Sequence, residues 1–381
     1  MPSIIHYRHY NSRAKEDSKH RARMNGIHET KYWHQIEDGR VQCDLCPRYC
    51  RLKEGQQGLC FVRQNQNQKI VLTSYGRSSG FCIDPIEKKP LNHFLPGTPV
   101  LSFGTAGCNL ACKFCQNWDI SKSQEMETLA DSASPEKLVQ LALSTKCRSI
   151  AFTYNDPVIF HEYAIDVAIA AREQGVNTVA VTAGYVCEEP RKEFFSHMSA
   201  ANIDLKAFSD GFYRSICGGK LSVILDTLLY LHNETDTWFE LTTLLIPGEN
   251  DSEQEIEKMA RWIVDNLGFD IPLHFTAFHP DFKMRGHSPT PPSTLTRSRQ
   301  IAIDTGMNYV YTGNVHDASG GSTYCSKCSA QLIERDWYEL GAWNLDEQAC
   351  CHQCRVVLPG VFEARPGTWG SKRQVLDLSE H

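Results

Sequence analysis

The sequence predicts an α/β protein: a parallel sheet, with a small cysteine-rich module before it and a zinc ribbon after it. Strand-like and helix-like segments alternate from about residue 98 to 312, which is typical of βαβ units. Two groups of four cysteines flank this region. Seven predicted strands and about six helices are too few for a complete eightfold barrel. A partial TIM-like barrel or an open doubly wound sheet therefore fits.

Runs rich in Val, Ile, Thr and aromatic residues predict the seven strands. They span residues 99–104, 149–156, 177–184, 202–208, 238–247, 272–278 and 308–313. Amphipathic or capped segments predict helices at 134–145, 157–175, 189–198, 221–233, 251–268 and 292–306. Ser134 is the expected N-cap of the first helix, Gly175 the stop of the second, and Asp251 or Ser252 the cap of the fifth. Residues 1 to about 40 are expected to be irregular or weakly helical.

These patterns divide the chain into three expected regions. Residues 1–95 form an N-terminal extension with the first cysteine module (43–63), residues 96–315 form the sheet domain, and residues 316–381 carry the zinc ribbon. In either type of sheet, the site should lie at the carboxyl ends of the strands.

Composition excludes several functional classes. The 381-residue chain has a net charge of −6, which argues against a dedicated nucleic-acid binder. No apolar run reaches membrane-spanning length, and the basic N-terminus lacks the apolar stretch of a signal peptide. The expected location is therefore the cytoplasm, where 16 cysteines are more suited to metals than to disulfides.

Two of the cysteine groups supply four thiolates each. The C-x2-C pairs Cys325/Cys328 and Cys351/Cys354 predict a structural zinc site, with Cys350 as an alternative to Cys351. The N-terminal group holds either zinc, which is preferred, or a second iron–sulfur cluster; it consists of Cys43, Cys46, Cys50 and Cys60. The remaining cysteines, among them Cys217, are expected to be small buried side chains.

A third group has only three cysteines, Cys108, Cys112 and Cys115, directly after the first predicted strand. A tetrahedral zinc would need a fourth ligand, for example His93. Three soft thiolates at the carboxyl end of a strand better suit a [4Fe–4S] cluster with one iron open to another ligand.

The C-x3-C-x2-C spacing, with Phe114 before the last cysteine, resembles the radical S-adenosylmethionine (SAM) superfamily. This resemblance implies a partial (β/α)6 TIM-like barrel. It also implies that the open iron binds SAM, and that one electron cleaves SAM to a 5′-deoxyadenosyl radical that abstracts hydrogen from a substrate. An electron donor such as flavodoxin or ferredoxin is expected.

Further positions are similar to those of pyruvate formate-lyase activating enzymes. "TYNDP" keeps the acid–proline ending of a family motif for the SAM amino group, and "IDLKAF" matches Asp-Leu-Lys. Where those enzymes have Asp-Thr-Asn-Gly, this chain has "VTAG", which departs at Val181 and Ala183. The resemblance implies a SAM site made of Phe114, Tyr154, Asn155, Asp156, Thr182, Ala183, Asp204 and Lys206. Lys206, Asp204 and His279 are the candidate catalytic residues.

Longer phrases, including "CDLCPRYCRLKEGQQGLCFVR", "DPIEKKPLNHFLPGT" and "HFTAFHPDFKM", are similar to the radical SAM enzyme of the AmmeMemoRadiSam system. That similarity implies AMMECR1-like and Memo-like proteins as partners. The charged run at 84–93 is either part of the site or a solvated stretch leading into the sheet.

Two other functions remain open on the residues. One is activation of a large glycyl-radical enzyme, which the departures from "DTNG" weaken. The other is a non-enzymatic scaffold of zinc sites that docks partners.

Overall fold

The first part of the chain is built from short antiparallel strands. The computed structural model describes residues 27–121 and 131–376. Residues 1–26, most of the segment expected to be irregular or helical, lie outside the described part. One small sheet contains β1 (His28–Glu29), β5 (Arg63–Gln66) and β6 (Lys69–Leu72); the other contains β2 (Trp33–Gln35), β3 (Val41–Cys43) and β4 (Arg51–Leu52).

The central sheet contains seven parallel strands that follow one another in chain order. A sheet without a reversal of strand order does not fit the doubly wound alternative. The parallel strands are β8 (Pro99–Gly104), β10 (Ser149–Phe152), β11 (Asn177–Thr182), β12 (Ala200–Asp204), β13 (Trp238–Leu245), β14 (Leu273–Ala277) and β15 (Val310–Gly313).

Three further segments add antiparallel strands at one edge of this sheet. Strand β7 (Arg77–Pro85) pairs with β8, and both β9 (Asp131–Ser132) and β19 (Gln374–Val375) pair with β7. The expected domain boundaries at residues 95 and 315 stay a prediction. The sheet nevertheless contains β7, which lies before residue 95, and β19, which lies after residue 315.

Helices cover the outer face between the parallel strands. They are α1 (Trp118–Ser121), α2 (Pro135–Ser144), α3 (His161–Glu173), α4 (Glu188–Ser196), α5 (Asp210–Phe212), α6 (Leu221–Glu234), α7 (Glu253–Leu267) and α8 (Pro292–Asp304). The Ser134 side chain caps α2 through the Lys137 amide, and Ser252 caps α7. Gly175, at a φ of 70°, follows the end of α3. These start and stop signals are confirmed. Residues Pro157–Phe160 form a 3-10 turn and Tyr213–Cys217 a π-helical turn.

The charged run at 84–93 is buried rather than solvated. It enters the inner face of the sheet at the amino ends of the strands, where Ile86, Leu91 and Phe94 pack on the first inward residues. The buried carboxylate of Glu240 accepts the amides of Asn92 (2.9 Å) and His93 (2.7 Å). Because these bonds satisfy both backbone groups, the segment closes this end of the sheet's interior.

The last part of the chain packs on the same end. It contains α9 (Ala318–Gly321), β16 (Thr323–Tyr324), β17 (Gln331–Asp336) and β18 (Glu339–Trp343). The ring of His93 bonds to the Pro359 carbonyl and to the Tyr311 hydroxyl. Buried Arg335 of β17 donates to the Asn92 carbonyl, at 2.8 Å. The described residues contain no helix long and apolar enough to cross a membrane.

Candidate active site and metal centres

The three cysteines of the incomplete group lie on a loop, residues 105–117, at the carboxyl end of β8. Buried Asn155 fixes the start of this three-cysteine loop. Its Oδ1 accepts the Thr105 amide (3.2 Å), and its Nδ2 donates to the Gly107 carbonyl (2.8 Å). Asn155 therefore holds the loop, and its predicted role in binding SAM stays a prediction.

The other side of the loop rests on the π-helical turn. The amides of Ala111 and Lys113 donate to the carbonyls of Cys217 (2.8 Å) and Ile216 (3.0 Å). The buried thiol of Cys217 also hydrogen-bonds to that of Cys112. Sequence reasoning left Cys217 as a plain buried side chain, so its place beside the three cysteines is new.

Lys206, Asp204 and Phe114 lie close together in the structure. The Lys206 ammonium lies 2.8 Å from Asp204 Oδ2 and 5.8 Å from the centre of the Phe114 ring. Burial lowers the pKa of Lys206, but Asp204 and the neighbouring thiols of Cys112 and Cys217 outweigh it and hold the pKa well above its usual value. The ammonium therefore stays charged beside the loop.

Asp156, Thr182 and Ala183 also meet, and they bond to one another. Asp156 Oδ1 accepts the Thr182 hydroxyl (2.8 Å) and the Val158 amide, while Oδ2 accepts the Ala183 amide (3.1 Å). Burial raises the pKa of Asp156, against the effect of these bonds. The carboxylate thus ties the ends of β10 and β11 together.

Tyr154 occupies a left-handed backbone conformation, with a φ of 70°. Such a conformation is costly for a residue with a side chain and tends to occur at functional sites. It explains why β10 stops at Phe152 instead of reaching residue 156 as predicted. The Tyr154 ring lies under the Lys89 ammonium, 5.5 Å from its centre.

His279 is exposed. Its neighbours in the loop after β14 do reach the three-cysteine loop and the helix that follows it: the Lys283 amide donates to the Lys113 carbonyl, and Asp281 accepts from the Trp118 indole of α1 (3.2 Å). The segment therefore covers the loop, while His279 itself does not line the cavity described next.

A polar cavity of about 310 Å³ opens between the three-cysteine loop, the inner face of the sheet and the β17–β18 hairpin. Its walls include Gln116 and Asn117 of the loop, Tyr154, the buried charged run, and Arg335, Trp337 and Tyr338 of the hairpin. Burial raises the pKa of Glu87, another wall residue, to about 7. The cavity offers both cationic and acidic groups to a polar ligand.

Sequence reasoning missed the wall residues His274 and Thr276, although a signal was present. Polar residues recur at every second position of β12–β14: Asn202 and Asp204, Glu240 and Thr242, His274 and Thr276. A period of two places them on one face of a sheet, and here that face is the interior.

The C-terminal cysteines converge on one point. Cys325, Cys328, Cys351 and Cys354 all bring their sulfur atoms within 4.8 Å of one another. Cys350 instead directs its thiol to the Gln348 carbonyl, at 3.7 Å. The set therefore contains Cys351 rather than Cys350.

The N-terminal cysteines behave differently. Cys43, Cys46, Cys50 and Cys60 line one void, but among the described residues they do not form a set as compact as the C-terminal one.

Comparison with known proteins places this site in a family. Residues 103–263, from β8 to α7, match the model of the Radical SAM superfamily. The chain belongs to the radical SAM superfamily. It is therefore a radical SAM enzyme, and a non-enzymatic zinc scaffold does not describe it.

Similar proteins differ in how much of the chain they cover. Uncharacterized protein MJ0808 of Methanocaldococcus jannaschii is 39% identical, over 87% of this chain and 97% of its own length. The pyruvate formate-lyase-activating enzyme of Clostridium pasteurianum is 27% identical, over 42% of this chain and 67% of its own. A solved domain of such an enzyme from Bacteroides vulgatus has 20% identity and a TM-score of 0.39, covering 43% of this chain and 98% of the domain.

Proposed function

We propose that this radical SAM enzyme acts on a small polar substrate that binds in the cavity beside the three-cysteine loop. The proposal rests on one juxtaposition at the carboxyl edge of the sheet. The loop, the Asp204–Lys206 pair and the cavity wall residue Tyr154 meet there. In α/β proteins this edge is where chemistry occurs.

Cys108, Cys112 and Cys115 fit a [4Fe–4S] cluster. Within the described residues their sulfur atoms do not form a compact set like that of the C-terminal cysteines, which suits several irons better than one ion. When bound, the cluster and SAM supply the 5′-deoxyadenosyl radical that abstracts hydrogen from the substrate.

The protein's own side chains hold and orient these groups. Asn155 and the Cys217 carbonyl keep the loop in place from opposite sides. Phe114 offers an apolar face, and Lys206, oriented by Asp204, offers a cation to a carboxylate of SAM or substrate. Asp156 keeps the β10 and β11 edges rigid, with Thr182 and Ala183 as its partners.

The size of the cavity favours a small molecule over a protein substrate. The hairpin residues Arg335, Trp337 and Tyr338 form one wall, so the last region of the chain covers the space next to the loop. Activation of a glycyl-radical protein is the second candidate, favoured by the similarity to pyruvate formate-lyase-activating enzyme. It would require a protein segment to enter past this hairpin.

Three finer assignments belong to the same proposal. The sheet is a partial (β/α)6 TIM-like barrel, supported by the strand order and the shared interior cavity. The C-terminal cysteines bind zinc in a ribbon: sulfur separations of 3.4 and 3.7 Å approach the ~3.8 Å expected around a tetrahedral ion with Zn–S of about 2.3 Å. The protein works in the cytoplasm with a reduced flavodoxin or ferredoxin.

The AmmeMemoRadiSam branch, with AMMECR1-like and Memo-like partners, remains the proposed subfamily. Its support is the set of sequence phrases quoted above; co-purification of the three proteins would test it.

The main test is anaerobic cleavage of SAM. Reconstituted protein with dithionite should release 5′-deoxyadenosine. Cys112→Ala should lose both one cluster and the activity. Lys206→Met should keep its iron but need on the order of tenfold more SAM, as expected for a lost charge-assisted bond of about 1.5 kcal/mol.

A matched control is Lys258→Met, which removes an exposed ammonium from helix α7 outside the site. It should leave cleavage unchanged. Fully reconstituted protein that releases no 5′-deoxyadenosine would contradict the proposal. If 5′-deoxyadenosine is released, deuterium transfer into it from labelled small molecules would identify the substrate.

A further inference from the structure

The N-terminal cysteine module surrounds a void with four thiols. Cys43, Cys46, Cys50 and Cys60 line it, together with Arg63. All four cysteines therefore border the same small space. None is paired in a disulfide.

The spacing of these thiols differs from that of the C-terminal set, which serves as an internal reference. In the C-terminal set, sulfur atoms approach to 3.4 and 3.7 Å, as a single tetrahedral ion requires. Across residues 27–121 and 131–376, that set alone brings three or more such ligand atoms within 4.8 Å. The N-terminal four thus border one void, but no three of their sulfur atoms lie as close together as one zinc requires.

We propose that Cys43, Cys46, Cys50 and Cys60 bind a second [4Fe–4S] cluster rather than zinc. A cluster separates its thiolates by a layer of iron and sulfide, so four sulfur atoms around one centre can stand further apart than around one ion. The C-x2-C spacing favours zinc for this N-terminal module, but the arrangement of the side chains favours the cluster.

The charges around the void suit this cofactor. A [4Fe–4S] cluster with four thiolates is anionic, and two cationic residues are among those that line the void: Arg48, and Arg63, whose guanidinium is paired with Glu162. Arg48 Nη2 is buried without a hydrogen-bond partner, although Nε donates to the Asn109 carbonyl. An unpaired buried donor of this kind is costly unless an acceptor is present.

The position of the void gives the cluster its role. The Cys60 carbonyl packs so tightly on Gly107 that a Cβ there would lie 1.9 Å from it, and Gly107 directly precedes Cys108. A cluster with four protein thiolates has no open iron for SAM, so it serves electron transfer. It takes one electron from a reduced external donor, which is oxidised, and passes that electron to the neighbouring cluster.

The test is to count metals in the full chain after anaerobic reconstitution. Wild-type protein should hold about eight irons and about one zinc. Cys112→Ala, which leaves the N-terminal four intact, should keep about four irons and give an EPR signal, after reduction, that SAM does not alter. Cys50→Ala should keep about four irons, with a signal that SAM does alter.

Two variants serve as controls. Cys328→Ala should lose zinc and keep all its iron, while Cys147→Ala, a buried cysteine outside the three groups, should keep both metals. About four irons and two zincs in wild-type protein, or an iron-free Cys112→Ala, would overturn the assignment. A full iron count without SAM cleavage would leave this inference standing and count against the proposed function instead.

Discussion

A buried ion pair joins the N-terminal cysteine module to helix α3, and breaking it should loosen the whole protein. Arg63 Nη2 lies 2.5 Å from Glu162 Oε2, and both side chains are at most 5% exposed. Arg63 also donates to the Ile159 carbonyl at 3.1 Å. We expect Glu162→Gln to leave the Arg63 charge buried and unpaired.

The size of the effect follows from the pKa of Glu162. Burial raises it, but Arg63 and His161 more than offset this, so the pKa falls from 4.5 to about 2. At 1.36 kcal/mol per pKa unit this is roughly 3 kcal/mol, similar to the 3–5 kcal/mol typical of a broken buried pair. With an unfolding entropy of about 2.1 cal/mol/K per residue, the melting temperature should fall by roughly 4 °C.

The pH dependence has a definite sign. Because the folded pKa is depressed, the stabilisation is fully present above the unfolded pKa near 4.5 and is lost as the pH falls toward 2. The difference in stability between wild type and Glu162→Gln should therefore be largest near pH 7 and fall to about half by pH 3.

Differential scanning calorimetry across this pH range, on samples of equal metal content, would measure the gap. Glu257→Gln is the matched control, since its partner Arg261 lies on the exposed face of α7; it should shift the melting temperature by less than about 1 °C. A Glu162→Gln protein that melts within 1 °C of wild type at pH 7, or whose deficit grows on acidification, would refute the reasoning.

Two further predictions concern the three-cysteine loop. Gly107→Ala should displace the Cys60 carbonyl and lower the iron content of both the three-cysteine loop and the N-terminal cysteine module. Gly55→Ala is the control, since Gly55 also has a positive φ but a Cβ there would meet nothing within 4 Å; elemental analysis should find its iron content unchanged. Cys217→Ala should lower the reduction potential of the cluster on the loop, because hydrogen bonds to cluster sulfurs raise that potential. EPR-monitored redox titration would measure the change. An unchanged potential would show that the contact between Cys217 and Cys112 does not affect the cluster.

The parallel sheet was readable from the sequence because its signals are local. Strand β8 has the predicted bounds, and Ser134 caps α2 through a residue three positions away. Strand β10 ends early because Tyr154 adopts a left-handed backbone and Asp156 caps the following turn, and neither property is visible in composition.

Long-range partners explain what could not be predicted. The charged run at 84–93 has the composition of a surface segment, yet Glu240, some 150 positions later, accepts its amides. Strand β19 pairs with β7 across almost 300 residues. For the site, motif spacing indicated the three cysteines, Asp204 and Lys206, but the meeting of Cys217 with Cys112 depends on the π-helical turn after β12.

The segment that closes the amino end of the sheet's interior has a kinetic consequence. With Asn92 and His93 bonded to Glu240, the cavity has a floor at the amino end of the sheet, and Gln116 and Asn117 of the three-cysteine loop line its outer end. In a chamber that is closed at one end, the ligand that binds last, near the opening, must leave first. A ligand that binds on the floor must enter before a second ligand occupies the outer end of the cavity, and it must leave after that second ligand. This geometry favours a compulsory order of addition and release.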